Sequence, residues 1–219
     1  MNLFYQNIPR HPLIVKFPTV QALVEQLYLS AILDAYPRVK SIPGIAGMSE
    51  NTIRNRVVED LKFSNPIIRE YIQNKLIFIA AENQAYTASL SQRTDLEFHN
   101  SIHQHKFVIE CKRLSTAEER YVHGRIKNGQ YQHDGLEKFV NLTYAAEDNE
   151  GAMLSFIVGR NPSEIVNGLN RRVQVFHPSS HSASLSTQLC LGWTLSFQSS
   201  HSRTDGRPFH LYHLFFNLA

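Results

Sequence analysis

Cysteine is scarce: Cys111 and Cys190 are the only two. Two thiols make no disulfide framework, so a reducing compartment, the cytoplasm, is the expected setting. No apolar run approaches the length of a membrane-spanning helix, and no membrane association is expected. The first residues, Met1 to Gln6, lack a basic segment followed by a long apolar one, so no secretory signal is expected. Neither charge sign dominates: the net charge is +3 and the pI about 8.9. That balance permits nucleic-acid binding without demanding it, because the distribution of charge matters more than its sum. The chain has no Gly-x-Gly-x-x-Gly and no phosphate-binding lysine loop, which argues against a nucleotide-driven motor. It has no Gly-x-Ser-x-Gly elbow, which argues against an α/β serine hydrolase.

What is present suffices for a substantial core. Of 219 residues, 42% are hydrophobic, enough for one large domain or one domain with an appendage. Pro9, Pro12 and Pro18 predict an irregular or extended start. Thr19 caps an expected helix to about Tyr36, ended by Pro37. Ser49 caps a second, with Ile53, Val57 and Leu61 on one side. Asn65-Pro66 breaks the chain; residues 67–75 read as helix and 76–81 as strand. Residues 134–145 read as helix, with Leu136, Phe139, Val140 and Tyr144 on one face. Residues 151–159 read as a buried strand. Asn161-Pro162-Ser163-Glu164 opens another helix, to about Arg171. Residues 177–187 are Ser- and His-rich and read as a loop. Strands at about 189–198 and 208–217 flank an Asp205-Gly206 turn.

The chemistry concentrates in Lys106-Phe107-Val108-Ile109-Glu110-Cys111-Lys112. The apolar, β-favouring run predicts a buried strand. Side chains two apart share a face, so Glu110 and Lys112 point together and Cys111 points opposite. A carboxylate and an ammonium on a buried strand are costly unless paired or binding something. Asp95 lies in a second run, residues 93–98, and a hairpin with residues 106–113 brings it beside Glu110. Two carboxylates and a lysine on neighbouring strands suit phosphodiester hydrolysis with a divalent metal. Carboxylates hold Mg²⁺, which keeps several waters. The metal supplies a hydroxide and stabilises the leaving oxygen, while the lysine offsets charge on the phosphate.

At Asp95 and Glu110-Cys111-Lys112 the chain resembles the PD-(D/E)xK nuclease superfamily. Thr94 stands where that family usually has proline. The resemblance implies a restriction-endonuclease-like α/β fold: a central mixed β-sheet flanked by helices, with an N-terminal helical extension and a C-terminal β-hairpin. Residues 1–48 would be the extension and 49–219 the nuclease-like domain, whose core layout matches about 49–159. The aromatics of the last hairpin (Trp193, Phe197, Tyr212, Phe215, Phe216) would extend the sheet or pair with another protomer. The resemblance also implies a glutamate on the first core helix that completes the metal site: Glu50, or alternatively Glu59. Asp95, Glu110 and Glu50 would hold Mg²⁺ or Mn²⁺, and Lys112 would assist the nucleophile. The implied activity is endonucleolytic hydrolysis of DNA rather than RNA, in a prokaryotic defence or repair system. The implied partners are nucleic acid and a second protomer or a larger system's subunit. The alternative is a non-catalytic nucleic-acid- or protein-binding module on the same fold.

Other residues compete for roles. Glu97 shares a face with Asp95 and could replace it, though a solvated charge is the simpler expectation. Tyr131, Lys138 and Asn141 are substrate-facing candidates on or before the helix after the motif. Arg54, Arg56, Arg113, Arg120, Arg125, Lys127, Arg171 and Arg172 are candidate phosphate contacts. His201 and Arg203 are expected in a solvated loop, with phosphate contact as the rival reading. His99, His103 and His105 raise zinc, but structural zinc wants four ligands, usually including cysteine, and Cys111 is expected to face away.

Overall fold

A computed structural model describes residues 12–87, 90–100, 102–116, 119–127, 129–159, 161–176, 185 and 193–219. Six strands form one sheet: β1 (Ile77–Thr87), β2 (Leu90–Asn100), β3 (His105–Leu114), β6 (Glu150–Ile157), β7 (Ser196–Ser202) and β8 (Pro208–Asn217). The spatial order is β1-β2-β3-β6-β8-β7. β1, β2 and β3 are antiparallel neighbours. β3, β6 and β8 run parallel, and β7 returns antiparallel along β8. A separate two-stranded ribbon comprises β4 (Arg125–Lys127) and β5 (Gln130–Gln132). The fold is therefore mixed α/β, a mixed sheet with helices against it.

Strand alternation divides the interior into two cores. Phe107, Ile109 and Cys111 of β3, with Ala152, Leu154 and Phe156 of β6 and Tyr212, Leu214 and Phe216 of β8, face the N-terminal helices. Val108 and Leu114, Met153 and Ile157, and Leu211 and Phe215 face α6 (Glu137–Val140) and α7 (Pro162–Gln174). β6 is covered on both sides, which explains why it is buried from Gly151 to Ile157 and apolar but for Ser155.

The Thr19 cap forms: its side chain accepts from the Ala22 N–H. The helix it opens runs through α2 (Val20–Leu23), a wide π turn over Val24–Leu29 and α3 (Ser30–Lys40). Pro37 does not end it, because proline φ is helical and the helix loses only one hydrogen bond there, near its last turn. This segment shares its core with the sheet. Tyr28 stacks on Phe98 at 4.5 Å, and Tyr36 donates to the Asn217 carbonyl at 2.6 Å. Ser49 caps α4 (Glu50–Glu59) through the Thr52 N–H, with Ile53, Val57 and Leu61 buried. Asn161 likewise caps α7 through the Ser163 N–H.

Some sequence expectations need correction. A helical turn, α1 (Pro12–Lys16), forms where prolines suggested none, because Pro12 occupies the first helical position. Residues 67–75 shorten to α5 (Arg69–Gln73). The helix expected over 134–145 shrinks to α6, because Gly135, Leu142 and Ala145 have positive φ and Asn141 accepts from the Thr143 N–H. Its apolar face is nonetheless buried as expected. β7 starts at Ser196 rather than 189: a turn from Trp193 precedes it, and 189–192 lie outside the described residues, as does most of the expected 177–187 loop. The last hairpin does extend the sheet. Among the described residues, no helix is long and apolar enough to cross a membrane.

His201 and Arg203 are not in a solvated loop; each is 3% exposed. Arg203 donates to the carbonyls of Phe139, Ala145 and Asp148, so its charge serves the turns after α6 rather than a phosphate. His201 belongs to a buried chain that links Tyr121 Oη to His213 Nδ1 (2.5 Å), His213 Nε2 to Ser199 Oγ (2.7 Å) and Ser199 Oγ to His201 Nε2 (2.6 Å). Burial, helped by His210, pushes His201 down from 6.5 to about 4, and burial also lowers His213. A depressed folded-state value gives stability that is present above pH 6.5 and lost as pH falls towards 4. Urea unfolding at pH 7 and pH 4.5 should show a loss of about 2 kcal/mol from His201. His201→Gln should shrink the loss; an unchanged pH dependence would contradict this assignment.

Candidate functional site around Glu110

The described β2–β3 pairing stops at Leu96↔Ile109, just before Asp95 and Glu110. Beyond it β3 stays paired with β6 on one side, from Ile109↔Ala152 to Leu114↔Ile157. On the other side its backbone donors need different partners. The Cys111 N–H donates to Asp95 Oδ2 at 2.8 Å, and the Arg113 N–H to Glu50 Oε2 at 2.6 Å. Two side-chain carboxylates thus serve the open edge of the strand. Glu50 opens α4, and Arg54, one turn later on the same face, donates through Nη1 to Asp95 Oδ1 at 3.1 Å. Arg54 is 2% exposed, so it orders Asp95 and is not a surface phosphate contact.

Glu110 and Lys112 share the face towards α6, as strand alternation requires. Lys112 Nζ lies 2.6 Å from Glu110 Oε1 and 2.8 Å from Asp134 Oδ1. Lys138 Nζ of α6 donates to the same Glu110 oxygen at 2.9 Å and to Tyr144 Oη at 2.9 Å. Asp134 reaches Lys112 through a turn that only glycine allows: Gly135 has φ +54°, and a β-carbon there would lie 2.2 Å from the Tyr121 carbonyl. Glu110 is 1% exposed; its Oε2 is buried without a well-formed hydrogen bond, and the Tyr144 hydroxyl is a donor that acts on the carboxyl. A buried carboxylate oxygen so weakly served is costly, so this is the point where a cation fits.

The charges follow from these contacts. Burial pushes the Glu110 carboxyl up, while Lys112 and Lys138 pull it back down. Burial works against the Lys112 ammonium, but Glu110, Asp134 and Glu50 outweigh it and hold the lysine firmly charged. Asp134 is drawn below its ordinary value because Lys112 outweighs the cost of burial. Burial, then Glu110 and Asp95, push the Tyr144 phenol up. Cys111 points into the opposite core, and burial raises its thiol well above the ordinary range.

The structure therefore brings Asp95, Glu110, Lys112 and Glu50 to one stretch of β3. Glu59 lies at the far end of α4, exposed and paired with Arg56 at 2.7 Å. Glu97 is no solvated charge: it is 1% exposed and paired with Lys106 and His99, each at 2.8 Å. Arg113 donates through Nη2 to the Ala46 carbonyl. Tyr131 donates to Glu137 and Asn141 caps a turn, so of the three polar candidates Lys138 alone touches Glu110. His105 stands 3.8 Å from Asp148 and 3.9 Å from Glu150, and burial lowers it to about 4. Among the described residues, no three His, Cys, Asp or Glu gather as a ready metal-binding group. Sequence reasoning missed Asp134 and the Arg54 contact; the Asp134-Gly135 pair, a turn signal, was the available clue.

No family model, curated protein or solved structure matches the chain.

Lys112 is the nearest compensation for this buried carboxylate. Lys112→Met should lower stability by about 3 kcal/mol, because it leaves Glu110 underpaired. Adding Glu110→Gln should restore most of that loss in urea unfolding; simply additive losses would contradict the pairing.

Proposed function

We propose that the protein is a Mg²⁺- or Mn²⁺-dependent endonuclease with a restriction-endonuclease-like core of the PD-(D/E)xK type. The observation that carries this reading is the buried Glu110 Oε2, which lacks a well-formed hydrogen bond, beside a firmly charged Lys112, with Asp95 on the adjoining backbone. The element order supports it: α4 precedes three antiparallel strands, and α6 precedes the parallel strand β6. Glu110 and Asp95 would hold the metal, since both offer hard oxygen donors and each carboxylate oxygen accepts more than one partner. Glu50, fixed on the next backbone donor, would orient a water or a second metal. When bound, the metal lowers the pKa of a water and stabilises the leaving oxygen. Lys112 offsets charge on the scissile phosphate, and its three carboxylate neighbours keep its proton in place. Preference for DNA over RNA rests on the resemblance alone. A dimer would match the two-fold symmetry of a duplex cut on both strands. Cytoplasmic action in prokaryotic defence or repair completes the proposal.

One observation favours a non-catalytic binding module instead. Asp95 is already engaged by Arg54 and Cys111, and Glu110 Oε1 by two lysines. Cleavage separates the readings. Wild type, Glu110→Gln and Asp95→Asn, each checked for fold by circular dichroism, are incubated with plasmid, linear duplex, single-stranded DNA and RNA. The nuclease reading expects cutting in Mg²⁺ or Mn²⁺ and none in EDTA. Either carboxamide should slow it on the order of 10²-fold or more. Nucleic-acid binding with no cutting in any metal would support the module.

A further inference from the structure

The β4–β5 ribbon exposes two large apolar side chains, Ile126 (74%) and Tyr131 (52%). They are direct cross-strand partners and so stand side by side on one face. An isolated two-stranded ribbon is marginally stable in water, so an uncovered apolar pair there asks for a partner. The ribbon is nevertheless firmly seated. The Gly124 N–H and Tyr131 Oη both donate to Glu137 Oε2, at 2.7 and 2.8 Å. A β-carbon at Gly124 would lie 2.1 Å from the Gln132 carbonyl, so glycine alone permits that close approach. Tyr131 is thus a ring pinned by its hydroxyl with half its surface open, pre-organised for stacking.

Position and charge identify the partner. Gln132, the last residue of β5, is followed by His133 and then by Asp134, which lies 2.8 Å from Lys112. The ribbon therefore stands at the rim of the Glu110–Lys112 site. From Arg120 to His133 the sequence holds Arg120, Arg125 and Lys127 and no aspartate or glutamate. That composition complements a polyanion carrying flat apolar groups. Aromatic platforms beside basic residues bind nucleic-acid strands in this way.

We infer that the β4–β5 ribbon is the nucleic-acid-gripping element of the site: Ile126 and Tyr131 pack against bases of the strand held at Lys112, and Arg125 contacts its backbone. The inference rests on the nuclease reading and extends it to how the strand is held. Fluorescence anisotropy of labelled single-stranded and duplex DNA with the full chain, in EDTA to prevent cutting, tests it. Tyr131→Ala should weaken binding about tenfold. Tyr131→Phe, which keeps the ring but loses its bond to Glu137, should weaken binding less than Tyr131→Ala. Arg125→Ala should weaken binding and reduce the salt slope by about one. Ile126 is largely exposed, so Ile126→Ala should leave the melting temperature unchanged while weakening binding. Wild-type cutting with unchanged affinity in the Ile126→Ala and Tyr131→Ala variants would overturn this inference alone. Neither binding nor cutting by wild type would overturn both readings. A dimer that Ile126→Asp dissociates, with DNA affinity unaltered, would assign the patch to a second copy and overturn the inference.

Discussion

A carboxylate shut away from bulk solvent has to find positive charge, and Glu110 is such a carboxylate. It sits on a strand packed on both faces, and only the groups that fold over it can compensate. Lys112 comes from the same strand face and Lys138 from α6. Asp134 then balances Lys112, and the glycine turn at Gly135 sets where Asp134 lies. The placement of α6, and through Glu137 the seating of the β4–β5 ribbon, follow from the same small region. One oxygen, Glu110 Oε2, is left without a well-formed hydrogen bond by all of this.

A second constraint acts on the same strand from the side. Where β2 parts from β3, two backbone donors lose their ladder partners, and Asp95 and Glu50 take them. Residues with a claim to chemistry are therefore also residues that complete the sheet. That dual use explains how acidic groups are held near Glu110 despite mutual repulsion: each has a backbone donor, an arginine or a lysine of its own. On the nuclease reading, such bonds pre-position the ligands, and a metal would need only the remaining lone pairs.

Much of this was legible in the sequence where the signal is local. The alternation around Glu110-Cys111-Lys112 gave the strand and sent the thiol and the two charges to opposite faces. The Ser49, Thr19 and Asn161 caps marked helix starts because a capping bond spans only two or three residues. Properties set by distant partners were not legible. Pro37 reads as a helix stop, yet the helix that carries it packs against α4 and β8. His201 and Arg203 look like loop residues until the carbonyls of the turns after α6 and the Ser199–His213 chain are in place around them. Glu97 looks solvated until Lys106, diagonally across on the next strand, reaches it. Arg54 reads as a free basic residue because its partner, Asp95, is 41 positions away.

The central claim is that the open oxygen of Glu110 belongs to a divalent-metal site shared with Asp95. Mn²⁺ titration followed by electron paramagnetic resonance tests it without any nucleic acid. The account predicts saturable Mn²⁺ binding by wild type, competed by Mg²⁺ and lost in Glu110→Gln and Asp95→Asn. Binding that is absent in wild type, or unchanged in both variants, would contradict it.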